Sequence, residues 1–189
     1  MASVYERVME TALKASDIFW RSHTMKKMTA RISLLALGVT FELTSKYVPE
    51  MHAEISDWEN GRRVGIGVLP QGPNVTVIKK GNRFRYLGMA LKDPHISVLF
   101  KNMDSAMLIF TGLIGAHQAV AENRVCVHGE NYQAMQVTRA MAIVQTYLFP
   151  DFLLRKTFKR PPVLSARQVA TKAKIMGLLL PKLIFSALK

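Results

Sequence analysis

The pentapeptide Val64-Gly65-Ile66-Gly67-Val68 sets the pattern for the chain, because its apolar side chains alternate with glycines. Alternation with a period of two indicates a β-strand that buries one face. Four later segments alternate in the same way, with inward-facing residues Val75 and Val77, Phe84 and Tyr86, Ile96, Val98 and Phe100, and Val125 and Val127. The sequence therefore predicts a sheet of about five strands.

Turn residues punctuate this run of strands. Gly72-Pro73, Gly81-Asn82 and Asp93-Pro94 lie between consecutive strands, and Gly61 precedes the first one. Residues 51–58 are a candidate for one more strand, joined to the first as a hairpin. We expect the strands to run mostly antiparallel.

Helices are predicted on both sides of the strands. Residues 3–27 carry apolar residues at helical spacing, and a second helix over 29–48 ends before Pro49. A largely apolar helix over 103–122, capped by Asn102, separates the last two strands. After the last strand, Val137, Met141, Val144 and Leu148 form the stripe of a helix that Pro150 stops. A final helix begins near Ser165, and Pro181 kinks or ends it.

This order predicts an α+β fold, in which about five mostly antiparallel strands form one sheet covered on one face by helices. N-terminal helices precede the sheet and a basic helix ends the chain. We divide the chain into N-terminal helices at 1–49, an α+β domain at 50–160 and a basic amphipathic segment at 161–189. Pro161-Pro162 marks the linker before that segment.

The positive charge is concentrated near the C-terminus. The net charge is +13, and nine of the 26 Lys and Arg residues lie from Arg155 onward, where no Asp or Glu occurs. The other 17 Lys and Arg residues precede Arg155, and the 13 Asp and Glu residues in the same part of the chain balance most of their charge. An anionic partner that meets the C-terminal segment is therefore expected.

The composition also limits the compartment and the chemistry. Cys126 is the one cysteine, so no intrachain disulfide is possible and a reducing compartment is expected. The N-terminus lacks the apolar core of a signal peptide, and no apolar stretch predicts a transmembrane helix. Motifs of hydrolases, zinc enzymes and phosphate-binding loops are absent, and the five histidines are scattered. We therefore expect no catalytic residue, no metal site and no cofactor.

Residues 93–148 contain a particular order of elements. An alternating strand from Asp93 to Val98 leads to the apolar helix, which carries Thr111-Gly112, and the small residue Ala119 follows. Arg124 to Val127 then form a basic-aliphatic strand, and Gly129 precedes the next helix. In this order and spacing the segment resembles the sterol carrier protein type 2 family, as a bacterial- or archaeal-type member with helical extensions.

Two features depart from the family pattern. Asn123 stands where the family often has glycine, and asparagine tolerates a left-handed backbone, so we expect the turn to survive. The chain ends in Ala-Leu-Lys, which differs from the peroxisomal tripeptide of some members and argues against a peroxisomal role.

The resemblance implies an apolar tunnel between the sheet and its helices that binds sterols, fatty acyl chains or other lipids without catalysis. Methionine and phenylalanine, of which the chain has 11 and 9, suit such a site, although methionines at helical spacing are also typical of an ordinary core. The predicted ligand-binding residues are Phe84, Val98, Phe100, Met107, Phe110, Ile114, Val127 and Met141.

The C-terminal helix has two interpretations. It is either a solvated basic helix packed on the domain or an interfacial helix on anionic lipid, and the missing acidic residues favour the second. The predicted membrane-docking residues are Lys172, Lys174, Leu179, Lys182, Leu183 and Phe185. An acidic groove on a protein could bind the same features.

Two other functions compete with that of a lipid carrier. Within the family, an accessory role that presents polyprenyl-quinone precursors to enzymes is equally compatible with the residues. Outside it, the pI near 10.1 and the segment Arg83-Phe84-Arg85-Tyr86 suggest nucleic-acid binding. The strand order and the position of the cations disfavour nucleic acid. The expected partners are a hydrophobic molecule, an anionic membrane and enzymes that use the ligand, in the cytoplasm or peripherally on a membrane.

Overall fold

The computed structural model of the chain describes residues 22–111, 113–157 and 164–187. Helices α1 and α2 come first, then strands β1–β4, helices α3 and α4, strand β5 and helices α5–α7. Their bounds are His23–Tyr47 (α1), Pro49–Ile55 (α2), Arg63–Val68 (β1), Asn74–Lys80 (β2), Arg83–Gly88 (β3), Ile96–Phe100 (β4), Met103–Phe110 (α3), Ala116–Ala121 (α4), Val125–His128 (β5), Asn131–Leu148 (α5), Asp151–Thr157 (α6) and Ala166–Ala187 (α7).

The α+β class and the sheet of five strands are confirmed. The strand order is β3-β2-β1-β4-β5, and the pairs β3–β2, β2–β1 and β4–β5 are antiparallel. The central pair β1–β4 is parallel, with Val64 opposite Ile96 and Val68 opposite Phe100. The sheet is therefore mixed, not mostly antiparallel as predicted. Alternation reports which face of a strand is buried and carries no information on its direction.

The parallel pair requires the chain to cross the sheet between β3 and β4. Residues 89–95 cross on the face towards which Gly65 points, where a Cβ atom at Gly65 would lie 2.7 Å from Leu91 Cδ2 and 3.0 Å from Pro94 Cβ. Thr76 Oγ1 donates to the carbonyl of Ala90 and accepts from the amide of Lys92. The glycine at position 65 thus makes room for the crossover.

Helix α1 lies on the opposite face of the sheet. A Cβ atom at Gly38 would lie 2.6 Å from Val75 Cγ2 and 2.9 Å from Tyr86 Cδ2, so the helix backbone nearly touches β2 and β3. Beside this contact Phe84 is fully buried, with edge-to-face contacts to Phe41 and Trp58 at centroid distances of 5.3 and 5.4 Å. The core therefore sits between α1 and the sheet.

Several helix boundaries agree with the sequence. The side chain of Asn102 accepts the amide proton of Ser105, as expected of a cap, and α1 ends before Pro49. Asn123 adopts φ 56°, which confirms that it takes the left-handed position in the turn before β5.

Other boundaries differ from the prediction. Residues 49–55 form α2 and not a strand, because Pro49 favours the first turn of a helix. The predicted helix over 103–122 is two helices, α3 and α4, and α7 continues past Pro181. Helix α1 runs without a break from His23 to Tyr47, so the predicted boundary near residue 28 is wrong. The remainder of the helix predicted over 3–27, and the Pro161-Pro162 linker, lie outside the described residues.

Helix α7 packs along α1 and contributes to the core through Ile175, which is fully buried. Two ion pairs hold it. Lys172, itself buried, donates to Asp151 Oδ1 at 2.6 Å, and Lys182 donates to Glu42 Oε1 at 2.7 Å. The two ion pairs thus hold helix α7 against helices α6 and α1.

Replacing Gly65 with valine should lower the free energy of unfolding by about 1–3 kcal/mol, because the new side chain overlaps the crossover. Gly177→Ala is the control, since a Cβ atom there meets nothing within 4 Å. That change should raise stability by up to about 1 kcal/mol through helix propensity. Urea unfolding measures both. If the Gly65→Val protein is as stable as the wild type, the crossover does not pack against residue 65.

Asp151→Asn should lower the urea midpoint at neutral pH, because it leaves the ammonium of Lys172 buried without a carboxylate. The hydrogen bond from Lys172 lowers the pKa of Asp151 from its ordinary value of 3.8. The ion pair between Asp151 and Lys172 therefore stabilises the fold fully above pH 3.8. This contribution is lost as the pH falls through the lowered pKa of Asp151.

The difference between wild type and Asp151→Asn should consequently vanish in acid. Glu130→Gln serves as the control, since Glu130 is exposed and makes no ion pair with the described residues. An unchanged midpoint for Asp151→Asn at neutral pH would show that the docking of α7 does not depend on this pair.

Candidate functional site

A cavity of about 130 Å³ lies between helices α1, α3 and α5 and strand β4. Four of its ten lining residues are buried and six are half-buried, so the cavity reaches the protein surface. The lining residues are Ser33, Ala36, Leu37, Phe100, Ile109, Phe110, Met141, Gln145, Leu148 and Phe149. Eight of them are apolar and none is charged. Such a lining suits an apolar, uncharged group.

Helical spacing explains why these residues meet. Ser33, Ala36 and Leu37 occupy one face of α1, at positions i, i+3 and i+4, while Gly38 faces the sheet. Met141, Gln145 and Leu148 follow the same spacing on α5. The two helices therefore form facing walls of the cavity.

Strand β4 and helix α3 supply an aromatic wall. Phe100 on β4 and Phe110 on α3 pack edge to face, with ring centroids 5.2 Å apart and an interplanar angle of 76°. This geometry is favourable for aromatic pairs, so it fixes the two rings against each other. The Met141 thioether, across the cavity, can adapt its shape to a ligand.

Gln145 is the polar exception in the wall. Its side chain is only 6% exposed, and its amide makes no hydrogen bond with the described residues. The amide atoms are not fully enclosed, because the fully buried side-chain N and O atoms without a partner in the described residues are Trp58 Nε1 and Arg63 Nε. The Gln145 amide therefore keeps some contact with solvent. Ser33 is the other polar residue in the lining.

The predicted ligand-binding residues occupy different places. Phe100, Phe110 and Met141 line the cavity, whereas Val98 and Met107 are buried outside its wall. The remaining three also lie outside the wall: Phe84 is in the core beside Phe41, Ile114 is half-buried and Val127 is exposed. Which of these residues contact a ligand stays a prediction.

Seven lining residues were not predicted. Six of them, on α1, α3 and the end of α5, have ordinary apolar or small side chains that nothing in the sequence distinguishes from a core. Gln145 did carry a signal, since it follows Met141 by four positions and interrupts an otherwise apolar helix face. A polar residue on such a face is either satisfied by the protein or available to a ligand.

A second groove of about 470 Å³ lies between the first half of α1 and the β1–β2 turn. Lys27 and Arg31 line it, together with Asn74 and Gln71. This polar and charged lining is less suited to an apolar ligand than the cavity that contains Gln145.

Buried cations occur in the molecule, but they lie away from the cavity. Lys79 donates to the carbonyls of Trp58 and Ser56, just after α2, and burial followed by the charge of Arg62 lowers its pKa. Arg62 donates to Gln136 Oε1 at 2.9 Å. These groups are satisfied by the protein itself and leave the cavity without a positive charge.

The predicted membrane-docking residues on α7 mostly face the protein. Lys172 and Lys182 form the ion pairs described above, and Lys174 Nζ lies 4.3 Å from the ring centroid of Tyr47. Leu179 and Leu183 pack against the core, while Phe185 is 72% exposed. Most of these residues thus have contacts within the chain, and their role at a membrane stays a prediction.

The opposite side of α7 is exposed and apolar. Val169, Met176, Leu180 and Ile184 follow one another at spacings of seven, four and four residues, which places them on one helix face. We call these four residues the outer face of α7. A row of exposed large apolar residues is a common mark of an interaction surface.

The aromatic residues of the segment 83–86 face the helices. Phe84 is buried, Tyr86 lies against Gly38, and only Arg83 and Arg85 are exposed. A sheet that binds RNA stacks bases on aromatic residues of its open face. The aromatic residues of this segment are not available for that contact.

Within the described part of the chain, no helix has the length and apolarity to cross a bilayer. The same residues contain no cluster of histidine, cysteine or carboxylate side chains that could hold a metal ion.

Comparisons with known proteins find similar structures only. No family model and no curated protein matches the chain. The ubiquinone synthesis protein UbiJ-SCP2 is 14% identical, with a TM-score of 0.40, and the match covers 55% of this chain and 84% of that one.

Two further structures are similar to a comparable degree. A protein of Thermus thermophilus, named as a candidate sterol carrier protein, is 11% identical with a TM-score of 0.41, over 58% of this chain and 80% of that one. Sterol carrier protein domain 2 of Helicoverpa armigera is 14% identical with a TM-score of 0.39, over 57% and 84%.

Proposed function

We propose that the protein binds and transfers, or presents, a hydrophobic molecule, one end of which enters the cavity between α1, α3, α5 and β4. The observation that carries the proposal is the uncharged lining, with eight apolar residues of ten, in a cavity that reaches the surface. Transfer of apolar surface out of water drives binding, at about 25 cal/mol per Å². The proposal assigns no catalytic step to the protein.

The size of the cavity limits what enters it. A cavity of roughly 150 Å³ holds a benzene molecule, so 130 Å³ accommodates one ring or a chain end of about six carbon atoms. A whole sterol or fatty acyl chain does not fit. The remainder of a long ligand lies outside the cavity, unless the helices separate.

A quinone precursor is the second candidate ligand. Its single ring matches the cavity in size, and the aromatic pair of Phe100 and Phe110 offers the edge-to-face contacts that rings favour. In this version the protein presents the precursor to an enzyme. The cavity has room for the chain end of a lipid or for the ring of a quinone precursor. The two ligands differ in length, so binding experiments can distinguish them.

The outer face of α7 supports association with a membrane. Its four exposed apolar residues would enter the boundary between headgroups and acyl chains. Because Lys172 and Lys182 are paired within the protein, attraction to anionic lipid comes from the remaining net charge and less from these two cations. Apolar insertion therefore outweighs electrostatics in this proposal.

Ala36→Leu should abolish ligand binding, because the larger side chain fills the cavity from the wall of α1. NMR of methionines labelled with ¹³C in the methyl group measures this, since the signal of Met141, assigned from Met141→Leu, reports on the cavity. The probes are geraniol and 1-decanol. Ala53→Leu, at an exposed position of α2, is the control and should bind like wild type.

The same titration can contradict the proposal. If the Met141 signal of the wild-type protein stays unchanged up to the solubility limit of both probes, this cavity binds neither molecule. If Ala36→Leu binds as well as wild type, the ligand occupies a different place.

Leu180→Asp should weaken binding to phosphatidylcholine vesicles at least tenfold, because a side chain of this size contributes about 1.5–3 kcal/mol when it leaves water. Leu180 is 69% exposed, so the fold should be unaffected. Vesicle flotation, with and without phosphatidylglycerol, measures the binding. Ala170→Asp is the control for charge, since it adds the same carboxylate at an exposed position of α7. Equal flotation of wild type and Leu180→Asp would show that the outer face of α7 is not the surface that binds the vesicles.

A further inference from the structure

We infer that the amide of Gln145 binds the polar end of the ligand and selects a ligand whose end is uncharged, with a hydroxyl or carbonyl oxygen. This inference rests on the proposed function and specifies the class of ligand. Gln145 lines the cavity, its side chain is 6% exposed, and its amide has no partner among the described residues.

The unpaired amide sets the chemistry of the ligand. A glutamine amide has two N–H donors and one carbonyl acceptor, so it binds a hydroxyl or a carbonyl equally well. The hydroxyl of Ser33, in the same lining, is a second donor and acceptor. A ligand oxygen placed between the two walls would bind an amide that has no hydrogen-bond partner among the described residues.

The absence of charge in the wall sets the selectivity. The ten lining residues include no Lys, Arg or His, and the buried cations Lys79 and Arg62 are bound to other groups. A carboxylate in the cavity would lose its hydration without gaining a cation, which is costly. The cavity therefore binds the alcohol, ketone or quinone form of a lipid in preference to the acid.

The stability of the unliganded protein is an independent test of this role. A buried glutamine that serves the fold stabilises it, and its replacement lowers stability. A buried glutamine that is kept for a ligand has no partner in the free protein, so a nearly isosteric apolar residue in its place raises stability. Gln136 on the same helix is the first kind, since it accepts from Arg62 and donates to Tyr132.

The test compares 1-hexanol, 1-hexene and hexanoate, which share a six-carbon length and differ at one end. The Met141 methyl signal follows their binding to the full-length protein and to Gln145→Met. Wild type should bind hexanol about 3- to 10-fold more tightly than hexene, the range of one hydrogen bond. It should bind hexanoate at neutral pH at least tenfold more weakly than hexanol. Gln145→Met should lose the preference for hexanol and raise the urea midpoint of the free protein.

The outcomes separate this inference from the proposed function. If wild type binds none of the three probes, the proposed use of the cavity fails. If all three bind, and the ratio of hexanol to hexene is the same in Gln145→Met, the cavity binds apolar ligands and Gln145 does not select them. Hexanoate that binds as tightly as hexanol also overturns the inference, as does a lowered midpoint for Gln145→Met.

Two controls keep the comparison interpretable. Gln133→Leu makes a similar change on α5 outside the cavity wall and should leave the order of the three probes unchanged. Gln145→Leu replaces Gln145→Met if the methionine variant does not fold. Failure of both to fold, while Gln133→Leu folds, would show that Gln145 stabilises the structure, which contradicts its assignment to a ligand.

Discussion

The close contact of helix α1 with the sheet is the constraint on which the rest of the structure depends. At Gly38 the helix has no side chain, and Val75 and Tyr86 occupy the space that a Cβ atom would need. With α1 held there, the face that carries Ser33, Ala36 and Leu37 turns away from β2 and β3 towards α3 and α5. The cavity lies on that second side of the helix. One glycine contact therefore determines both where the core is dense and where space remains.

The second constraint acts on the other face of the sheet. The crossover of residues 89–95 occupies the space over Gly65, so β4 reaches its place beside β1 as a parallel strand. Phe100 then points to the helical side, where it packs against Phe110. A larger residue at position 65 would disturb the crossover, and through β4 it would disturb the aromatic wall of the cavity.

These two glycines show what the sequence could and could not predict. Alternation in residues 64–68 predicted a strand, and the strand is confirmed. The predicted burial of one face is wrong, because the crossover covers the glycine side and both faces are buried. The same residues could not reveal the parallel pairing, because strand direction depends on the path of the crossover and not on the period. The left-handed turn at Asn123 was predictable, since few other residues accept that conformation.

The site was less predictable than the fold. Phe100, Phe110 and Met141 were expected to contact a ligand and do line the cavity, but the same apolar types at Val98 and Met107 are packed elsewhere. The hydrophobicity of a residue indicates that its side chain is buried. It does not indicate whether other protein atoms or a cavity lie beside that side chain. Gln145 differs from these residues in the sequence itself, because it is a polar residue that interrupts an apolar helix face and it lines the cavity.

The C-terminal cations illustrate a related limit. Counting charges predicted a basic segment that meets an external anion, whereas Lys172 and Lys182 bind Asp151 and Glu42 of the same chain. Those acidic partners lie 21 and 140 residues away in the sequence, so a local count of charge cannot find them. The side of α7 that carries these lysines is consequently occupied within the chain, whereas the apolar outer face is exposed.

The energetics of the cavity connect its size with the proposed function. Burial of about six methylene groups contributes about 5 kcal/mol at 0.8 kcal/mol each, which corresponds to a dissociation constant between about 1 mM and 100 μM. One hydrogen bond to Gln145 adds about 0.5–1.5 kcal/mol, so it contributes more to the choice of ligand than to affinity.

In the proposed function, such a cavity would bind one end of a lipid reversibly and would not sequester it. Tighter binding requires that the rest of a long ligand also leave water, against a protein surface or a membrane. Weak, end-on binding would suit the proposed transfer of a ligand between a membrane and an enzyme. Storage of a lipid would require a larger enclosed volume than these helices leave.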